Sequence, residues 1–469
     1  MNYRESGSFY NEREANEAVQ RYENMLRKGA TLYFDVFQIE QIIEQYLDEG
    51  KFHPALEAIE MGLEQHPGSI ALKVRRVNIL FNLGEIEKSL KLSNELLKIE
   101  KNNPELHLIK GSALQLLGKT NEAKKSFDLT LQYSDDERDE ALFNIGYAYE
   151  QTNNFSTAIK YLEQAILENP MHEGALYELA YCYERTNQDE KSLKYYNKYI
   201  DLDTFSDSAW FNLGIVYTKL NRIEESIEAY DYALVINEDF PNAWFNMGHS
   251  QMILRKFNEA IESFTDYLKY DENNDEVLAL IAHCHTRLKN YEKAIFFYQQ
   301  ALYANEENDR AWYGYALLQY AQKNYRKAYA NLLKATKYND TIFDYYLLLA
   351  KSAAKLNYYN VAAEAYEKTI DINRSKRSVW LGYAKMLYVK GMVIKAIEIL
   401  EAAMTQFTND ALILFRLTGY YLDIGDFESA EYYLKEALKY DKKNLSYLYK
   451  TYPHALEIEN IRKIINHDL

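Results

Sequence analysis

The chain repeats itself at a fixed interval, and this feature limits its fold most strongly. The segment Trp-Phe-Asn-Leu-Gly at residues 210–214 returns thirty-four residues later as Trp-Phe-Asn-Met-Gly at residues 244–248. A fixed self-similarity of this length indicates one supersecondary unit stacked on copies of itself. Each repeat in such an array contacts only its neighbours, so all 469 residues can fold without one central core.

The period extends over most of the chain. Twelve units of thirty-four residues fit residues 36–444, with one extra residue, Arg138, before the fourth unit. We therefore expect an N-terminal tail and capping helix at 1–35, a repeat array at 36–444 and C-terminal capping helices at 445–469. The predicted units begin at Val36, Ile70, Pro104, Asp139, Glu173, Asp207, Pro241, Asp275, Asp309, Phe343, Arg377 and Ala411.

Two places in the unit predict a pair of helices joined by a tight turn. The fifteenth place is Gly or Asn in nine units, and both residues tolerate the left-handed backbone that such a reversal needs. Arg255, Lys289 and Lys323 depart from this rule. The twentieth place is Ala or Ser in all twelve units, as expected where two helices approach closely and a larger side chain would overpack the contact.

Helices are also predicted at both ends of the array. Residues 1–10 are expected to be frayed, and residues 11–28 to form an amphipathic helix that Gly29 ends. The apolar face of this helix is predicted to consist of Ala15, Ala18, Val19, Tyr22, Met25 and Leu26. After residue 444 the chain is expected to form one or two helices divided by Pro453, which cover the apolar face of the last unit. The predicted contact residues there are Leu456, Ile458, Ile461, Ile464 and Ile465.

Trp210, Leu213, Gly214 and Tyr217 form the pattern Trp-x2-Leu-Gly-x2-Tyr, and with this period the chain resembles the tetratricopeptide repeat family. The resemblance covers residues 36–444 and weakens in the first two units and the last. It implies an all-α fold: a right-handed superhelical α-solenoid of tandem helix-turn-helix repeats, in which the first helices line the concave side. It also implies a protein-binding scaffold or adaptor and no enzymatic activity.

The resemblance further implies a peptide-binding groove. Members of the family often hold extended peptides with residues at the second, fifth, sixth, ninth, twelfth and thirteenth places of the unit. On this chain those places carry aromatic rings, which bury much area at low entropic cost, and asparagine amides, which can pair with a peptide backbone. The alternative is that the rings pack between repeats and the amides are hydrated. The candidate residues are Phe143, Asn144, Tyr147, Tyr177, Tyr181, Phe211, Asn212, Phe245, Asn246 and His249.

Charge gives a second candidate site. The chain carries a net charge of −16, yet residues 351–395 hold nine basic and three acidic residues, a local balance of +6. Lys351, Lys355 and Lys385 fall at groove places of the repeat and form a candidate basic groove patch. Glu150, Glu178 and Glu184 face the groove by the same register. An acidic middle and a basic far end would favour a partner of opposite polarity. The alternative is a solvated basic surface. The lysine and asparagine pattern with which some family members bind a chaperone's acidic C-terminus is absent.

The motif search predicts no catalytic residue, cofactor or metal site. No glycine-rich phosphate loop or His-Glu-x-x-His helix occurs. Neighbouring residues on a helix point in different directions, so His283, Cys284 and His285 cannot converge on one ion. Cys182 and Cys284 occupy the same place in repeats three units apart, which argues against a disulfide and favours a reducing compartment.

The favoured function is a cytoplasmic scaffold that binds extended peptide segments of other proteins, without a membrane partner. One alternative is a self-assembling structural protein, a homo-oligomer that pairs through solenoid ends or the convex face. Another is binding of RNA or a small ligand. Nucleic acid is disfavoured because neutralising phosphates requires a surplus of Lys and Arg, which a net charge of −16 does not supply.

Overall fold

The computed structural model describes residues 5–29, 31–134, 136–441 and 445–468, and every regular element in them is a helix. The chain divides into two compact units, Met1–Ala243 and Trp244–Leu469, with the division inside the first turn of one helix, α14. The elements of the first unit are α1 (Glu5–Lys28), α2 (Val36–Asp48), α3 (Phe52–Gln65), α4 (Ile70–Asn82), α5 (Ile86–Leu96), α6 (Pro104–Leu116), α7 (Thr120–Tyr133), α8 (Arg138–Glu150), α9 (Phe155–Glu168), α10 (Glu173–Arg185), α11 (Asp189–Leu202), α12 (Asp207–Lys219) and α13 (Ile223–Ile236).

The second unit continues the same alternation and ends in short helices. Its elements are α14 (Pro241–Ile253), α15 (Phe257–Tyr267), α16 (Asp275–Arg287), α17 (Tyr291–Ala304), α18 (Asp309–Ala321), α19 (Tyr325–Tyr338), α20 (Phe343–Lys355), α21 (Tyr359–Ile372), α22 (Arg377–Val389), α23 (Val393–Met404), α24 (Ala411–Asp423), α25 (Phe427–Tyr440), α26 (Leu445–Thr451), a 3-10 turn (Pro453–Glu457) and α27 (Glu459–Asp468).

The fold is an α-solenoid of tandem helix pairs, as the sequence predicts. The first and second helices of each repeat pack against each other. The first helices begin at the predicted residues, except that α8 begins at Arg138, one residue before Asp139. The predicted frayed end is wrong for residues 5–10, because α1 already begins at Glu5; residues 1–4 lie outside the described residues.

The turn inside each repeat uses the left-handed backbone that the fifteenth place predicts. Gly50, Gly84, Gly118, Gly391, Gly425 and the four asparagines at this place all have positive φ. Arg255, Lys289 and Lys323 also adopt φ between 60° and 63°. The helix pair therefore imposes this conformation even on side chains that disfavour it, at a local cost in backbone strain.

The close approach of the two helices depends on small residues. Every Ala or Ser at the twentieth place is 0% exposed. At the eighth place Gly146, Gly214 and Gly248 each face a large side chain of the second helix; a Cβ on Gly214 would lie 2.5 Å from Cε1 of Tyr230. The residue pairs Leu213–Gly214 and Met247–Gly248 thus serve packing within the repeat.

Three repeats carry a hydrogen bond that the sequence analysis missed. The amide of an Asn that ends the second helix donates to the Asp that begins the first helix of the same repeat. The pairs are Asn169 to Asp139 (2.8 Å), Asn237 to Asp207 (2.6 Å) and Asn305 to Asp275 (3.0 Å). These bonds tie the two open ends of the helix pair together.

The terminal helices cover the ends of their own units. Ala18, Tyr22 and Met25 of α1 are buried, whereas Leu26, expected on the same face, is 52% exposed. At the other end Ile461 and Ile465 of α27 are buried, and Ile458 and Ile464 pack against the same core. The side chains of Ala15 and Leu456 lie outside the described residues.

Candidate functional site: the first-helix face

In both units the first helices of successive repeats contact each other. These contacts join α4 to α6, α6 to α8, α8 to α10 and α10 to α12 in the first unit, and α16 to α18 and α18 to α20 in the second. Among the described elements of either unit, the second helices of successive repeats are not in comparably close contact with each other. Each unit therefore curves towards its first helices, and we call the surface that they form the first-helix face.

A cavity of about 430 Å³ lies on this face in the first unit, between α4, α6 and α8. Of the predicted groove residues, Asn144 and Tyr147 line it, together with Asn78, Leu108 and Ser112. Asn144 Nδ2 donates to both the carbonyl oxygen and the carboxylate of Glu140, each at 2.9 Å. Among the described residues the Asn144 side-chain oxygen has no hydrogen-bond partner, and the Tyr147 ring is 41% exposed.

Phe143, Tyr177 and Tyr181 serve packing between helices. Phe143 lies 4.9 Å from the ring of His172, and Tyr181 meets the edge of Phe155 at 6.3 Å. Tyr177 packs edge-on against Tyr199 at 5.3 Å. Burial raises the pKa of Tyr177 to about 12. These contacts fit the packing alternative, and the groove role of the three rings stays a prediction.

Phe211 and Asn212 are also engaged inside the first unit. Phe211 lies 4.7 Å from Phe240, and Asn212 Nδ2 donates to the hydroxyl of Tyr177 at 2.8 Å. This hydrogen bond joins α12 to α10 across a repeat boundary. It uses one N–H of the amide and leaves the second N–H and the oxygen for another partner.

Phe245, Asn246 and His249 lie on α14 in the second unit, and all three are partly buried. The ring of Phe245 lies 4.6 Å from that of His249 and 5.6 Å from that of Tyr267. Burial lowers the pKa of His249, so its imidazole is neutral at pH 7. It contributes an apolar surface with one donor and one acceptor.

The three predicted groove lysines come together in the second unit. Lys351, Lys355 and Lys385 line one cavity of about 440 Å³ with Tyr320 and Tyr366, which we call the basic cavity. All three lysines are exposed. In the described part of the chain none of them forms an ion pair, in contrast to Lys334, which binds Glu306 at 2.9 Å.

Glycine at the sixth place of the unit lines two cavities that the sequence did not predict. Gly382 lines the basic cavity, and Gly314, at the same place two repeats earlier, lines a cavity of about 640 Å³ with His283, Glu276 and Arg310. A Cβ on Gly314 would lie 2.5 Å from the hydroxyl of Tyr298, so this ring of the second helix α17 already occupies the space beside Gly314. The sequence does show that these two glycines are unusual, because the sixth place otherwise carries Asn, Glu, Arg, Gln, Ile or Leu.

One buried carboxyl lies between α8 and α10. Glu150 is 8% exposed, and its Oε2 has no hydrogen-bond partner among the described residues. Burial and, after it, the neighbouring Glu178 raise the pKa of Glu150 to about 8. The repeat register puts Glu150 and Glu178 on the groove side, but the sequence does not indicate that Glu150 is buried.

The described residues contain no group of three or more His, Cys, Asp or Glu side chains that could hold a metal ion. Cys182 and Cys284 are free, buried thiols. No helix in the described part of the chain is both long and apolar enough to cross a membrane.

Comparison with protein families matches the chain to repeat families of one type. Tetratricopeptide repeat models match residues 143–207 and 251–305, and a TPR repeat model matches residues 216–252. A model of the anaphase-promoting complex, cyclosome, subunit 3, matches residues 289–369. The chain is a tetratricopeptide repeat protein. Such repeats make it a scaffold for protein–protein interaction.

Solved structures similar to this tetratricopeptide repeat protein share low sequence identity with it. The crystal structure of MamA is 19% identical over 36% of this chain and 93% of that chain, with a TM-score of 0.35. A tetratricopeptide repeat protein from Parabacteroides merdae ATCC 43184 is 16% identical over 53% and 98%, with a TM-score of 0.37. The APC/C hetero-tetramer Cut9-Hcn1 is 13% identical over 88% and 95%, with a TM-score of 0.40. A search of curated proteins found no match.

Proposed function

We propose that this tetratricopeptide repeat protein is a non-catalytic adaptor that holds an extended segment of another protein on its first-helix face. The observation that supports this most is that predicted groove residues border two cavities there. Asn144 and Tyr147 line the cavity of the first unit, and Lys351, Lys355 and Lys385 line that of the second.

The spacing of the helices suits an extended ligand. Packed helices lie about 8 to 10 Å apart, and an extended peptide advances about 3.3 Å per residue. A peptide that crosses the first helices therefore presents about every third residue to the next helix. Polar groups at the same place of successive repeats can then bind backbone amides along the peptide, and the cavities can accept its side chains.

The experiment removes two predicted backbone contacts at once. Asn212→Ala together with Asn246→Ala should weaken binding of the partner that co-purifies with the protein. Loss of the bond from Asn212 to Tyr177 costs about 1 kcal/mol of stability, so circular dichroism must show unchanged helicity. The matched control is Asn197→Ala with Asn331→Ala, two asparagines on the second helices α11 and α19. Equal affinity of the two double variants would refute the groove assignment.

A second candidate, self-association, is favoured by apolar side chains outside this face. In the first unit Leu167 on α9 is 80% exposed, Val235 on α13 is 77% exposed and Phe205 is 82% exposed. Exposed apolar residues on a second helix can pair with another copy of the chain. Light scattering over a concentration series tests this; a strict monomer at the highest concentration rules it out.

A further inference from the structure

The basic cavity is built by three successive first helices. Tyr320 comes from α18, Lys351 and Lys355 lie one turn apart on α20, and Lys385 comes from α22. Lys351 and Lys385 occupy the same place in neighbouring repeats. Cations therefore border the cavity on two neighbouring helices, and a chain that crosses the helices would pass both.

The lysines have no internal counter-charge. In the described residues no carboxylate pairs with Lys351, Lys355 or Lys385, although the chain as a whole carries −16. Lys219, by contrast, forms an ion pair with Glu184 of the preceding repeat, with 2.8 Å between its Nζ and the carboxylate oxygen. Like charges held close together repel each other, and a ligand with negative charge relieves this repulsion.

The floor of the cavity is aromatic and aliphatic. Tyr366 is 4% exposed and stacks on Tyr383 at 5.3 Å. Met386 and Val389 form the side towards the end of α22. The space exists because Gly382 has no side chain; a Cβ there would lie 3.3 Å from the Tyr366 hydroxyl. An occupant thus needs apolar side chains for the floor as well as negative charge for the rim.

We propose that the basic cavity binds an acidic segment of a partner protein, in which carboxylates pair with Lys351, Lys355 and Lys385 and an apolar side chain enters above Tyr366. This inference rests on the proposed function, because it specifies the chemistry of the segment held on the first-helix face. A nucleic acid fits less well, since binding its phosphate backbone needs many more cations than the three lysines of this cavity.

The test uses a fluorescent peptide in which glutamate alternates with leucine, and the same peptide with glutamine in place of glutamate. Fluorescence anisotropy with the full chain should show binding of the acidic peptide, which weakens as salt is added. The glutamine peptide should bind at least tenfold more weakly. Equal binding of both peptides, or tighter binding of single-stranded oligouridylate than of the acidic peptide, overturns the inference.

Two kinds of variant locate the site. The triple variant Lys351→Gln, Lys355→Gln, Lys385→Gln should bind the acidic peptide about tenfold more weakly. The loss is limited because each ion pair between exposed groups contributes only a modest part of the binding free energy. The control triple Lys327→Gln, Lys376→Gln and Lys395→Gln removes the same charge from exposed residues that do not line the cavity and should change affinity less than twofold. Equal losses in the two triples overturn the assignment.

The cavity-filling variant Gly382→Leu should also abolish peptide binding, although it leaves all three lysines in place. Retained helicity, measured by circular dichroism, shows that the variant is folded, and full binding by the folded variant contradicts the proposal. If the acidic peptide does not bind, while the changes at Asn212 and Asn246 still weaken partner binding, this inference alone is refuted. Loss of the dependence on Asn212 and Asn246 while the peptide still binds refutes the broader groove assignment instead.

Discussion

Two glycine-to-alanine changes inside first helices should differ in their effect on the free energy of unfolding: one should lower it and the other should not. A Cβ on Gly214 would lie 2.5, 2.7 and 2.9 Å from three ring carbons of Tyr230, which is 2% exposed. Outside its own stretch of helix, the nearest atom to a Cβ on Gly382 would be the Tyr366 hydroxyl oxygen, 3.3 Å away at the edge of a cavity.

The magnitudes follow from two opposing contributions. Alanine stabilises a helix interior by about 1 kcal/mol relative to glycine. Forcing a methyl group against a buried ring typically costs about 1 to 3 kcal/mol. Gly214→Ala should therefore lower the free energy of unfolding by about 1 kcal/mol, whereas Gly382→Ala should leave it unchanged or raise it by up to about 1 kcal/mol.

Urea unfolding followed by circular dichroism measures the two changes. Because neighbouring repeats can unfold separately, hydrogen exchange with mass spectrometry should locate the loss of Gly214→Ala in α12 and α13. A shift of both variants in the same direction and by the same amount would refute the reasoning, since helix propensity alone would then explain it.

Two further predictions concern single polar groups. Asn237→Ala removes the hydrogen bond to Asp207 (2.6 Å) and should lower the free energy of unfolding by about 1 kcal/mol at pH 7. The same hydrogen bond is the main cause of the lowered pKa of Asp207. In thermal melts, the difference in melting temperature between the variant and the unchanged protein should therefore shrink as pH falls through that pKa. Glu150→Gln should stabilise the chain at pH 9 and much less at pH 4: the pKa of Glu150 is raised to about 8, so its ionisation disfavours the folded state increasingly as pH rises from its unfolded pKa. A pH-independent effect of Glu150→Gln would contradict this account.

Periodicity predicts the fold well because the same local contacts recur. The fifteenth place adopts positive φ even at Arg255 and Lys323, since the pairing of the helices determines the turn more strongly than the side chain does. The small twentieth place is buried in every repeat for the same reason. The start of α1 at Glu5 could not be predicted in this way, because this helix precedes the repeats and has no copy elsewhere in the chain.

The groove role of the candidate residues stays a prediction. The repeat register assigns Lys351, Lys355 and Lys385 to groove places, and in the structure these three residues line one cavity. The register did not reveal that Asn212 donates to Tyr177, because that bond joins residues thirty-five positions apart on different helices and depends on the side-chain conformation of both. The void above Tyr366 likewise depends on the sizes of several neighbours, of which Gly382 is only one.

The most direct test of binding on the first-helix face is hydroxyl-radical footprinting of the protein with and without its co-purifying partner. Exposed side chains on both faces report on the outcome: Tyr147 and Val389 on first helices are 41% and 67% exposed, and Phe296 and Tyr303 on the second helix α17 are 55% and 89% exposed. The partner should protect Tyr147, Val389 or both, and leave Phe296 and Tyr303 reactive. Protection of Phe296 and Tyr303 with unchanged Tyr147 and Val389 would contradict the central claim.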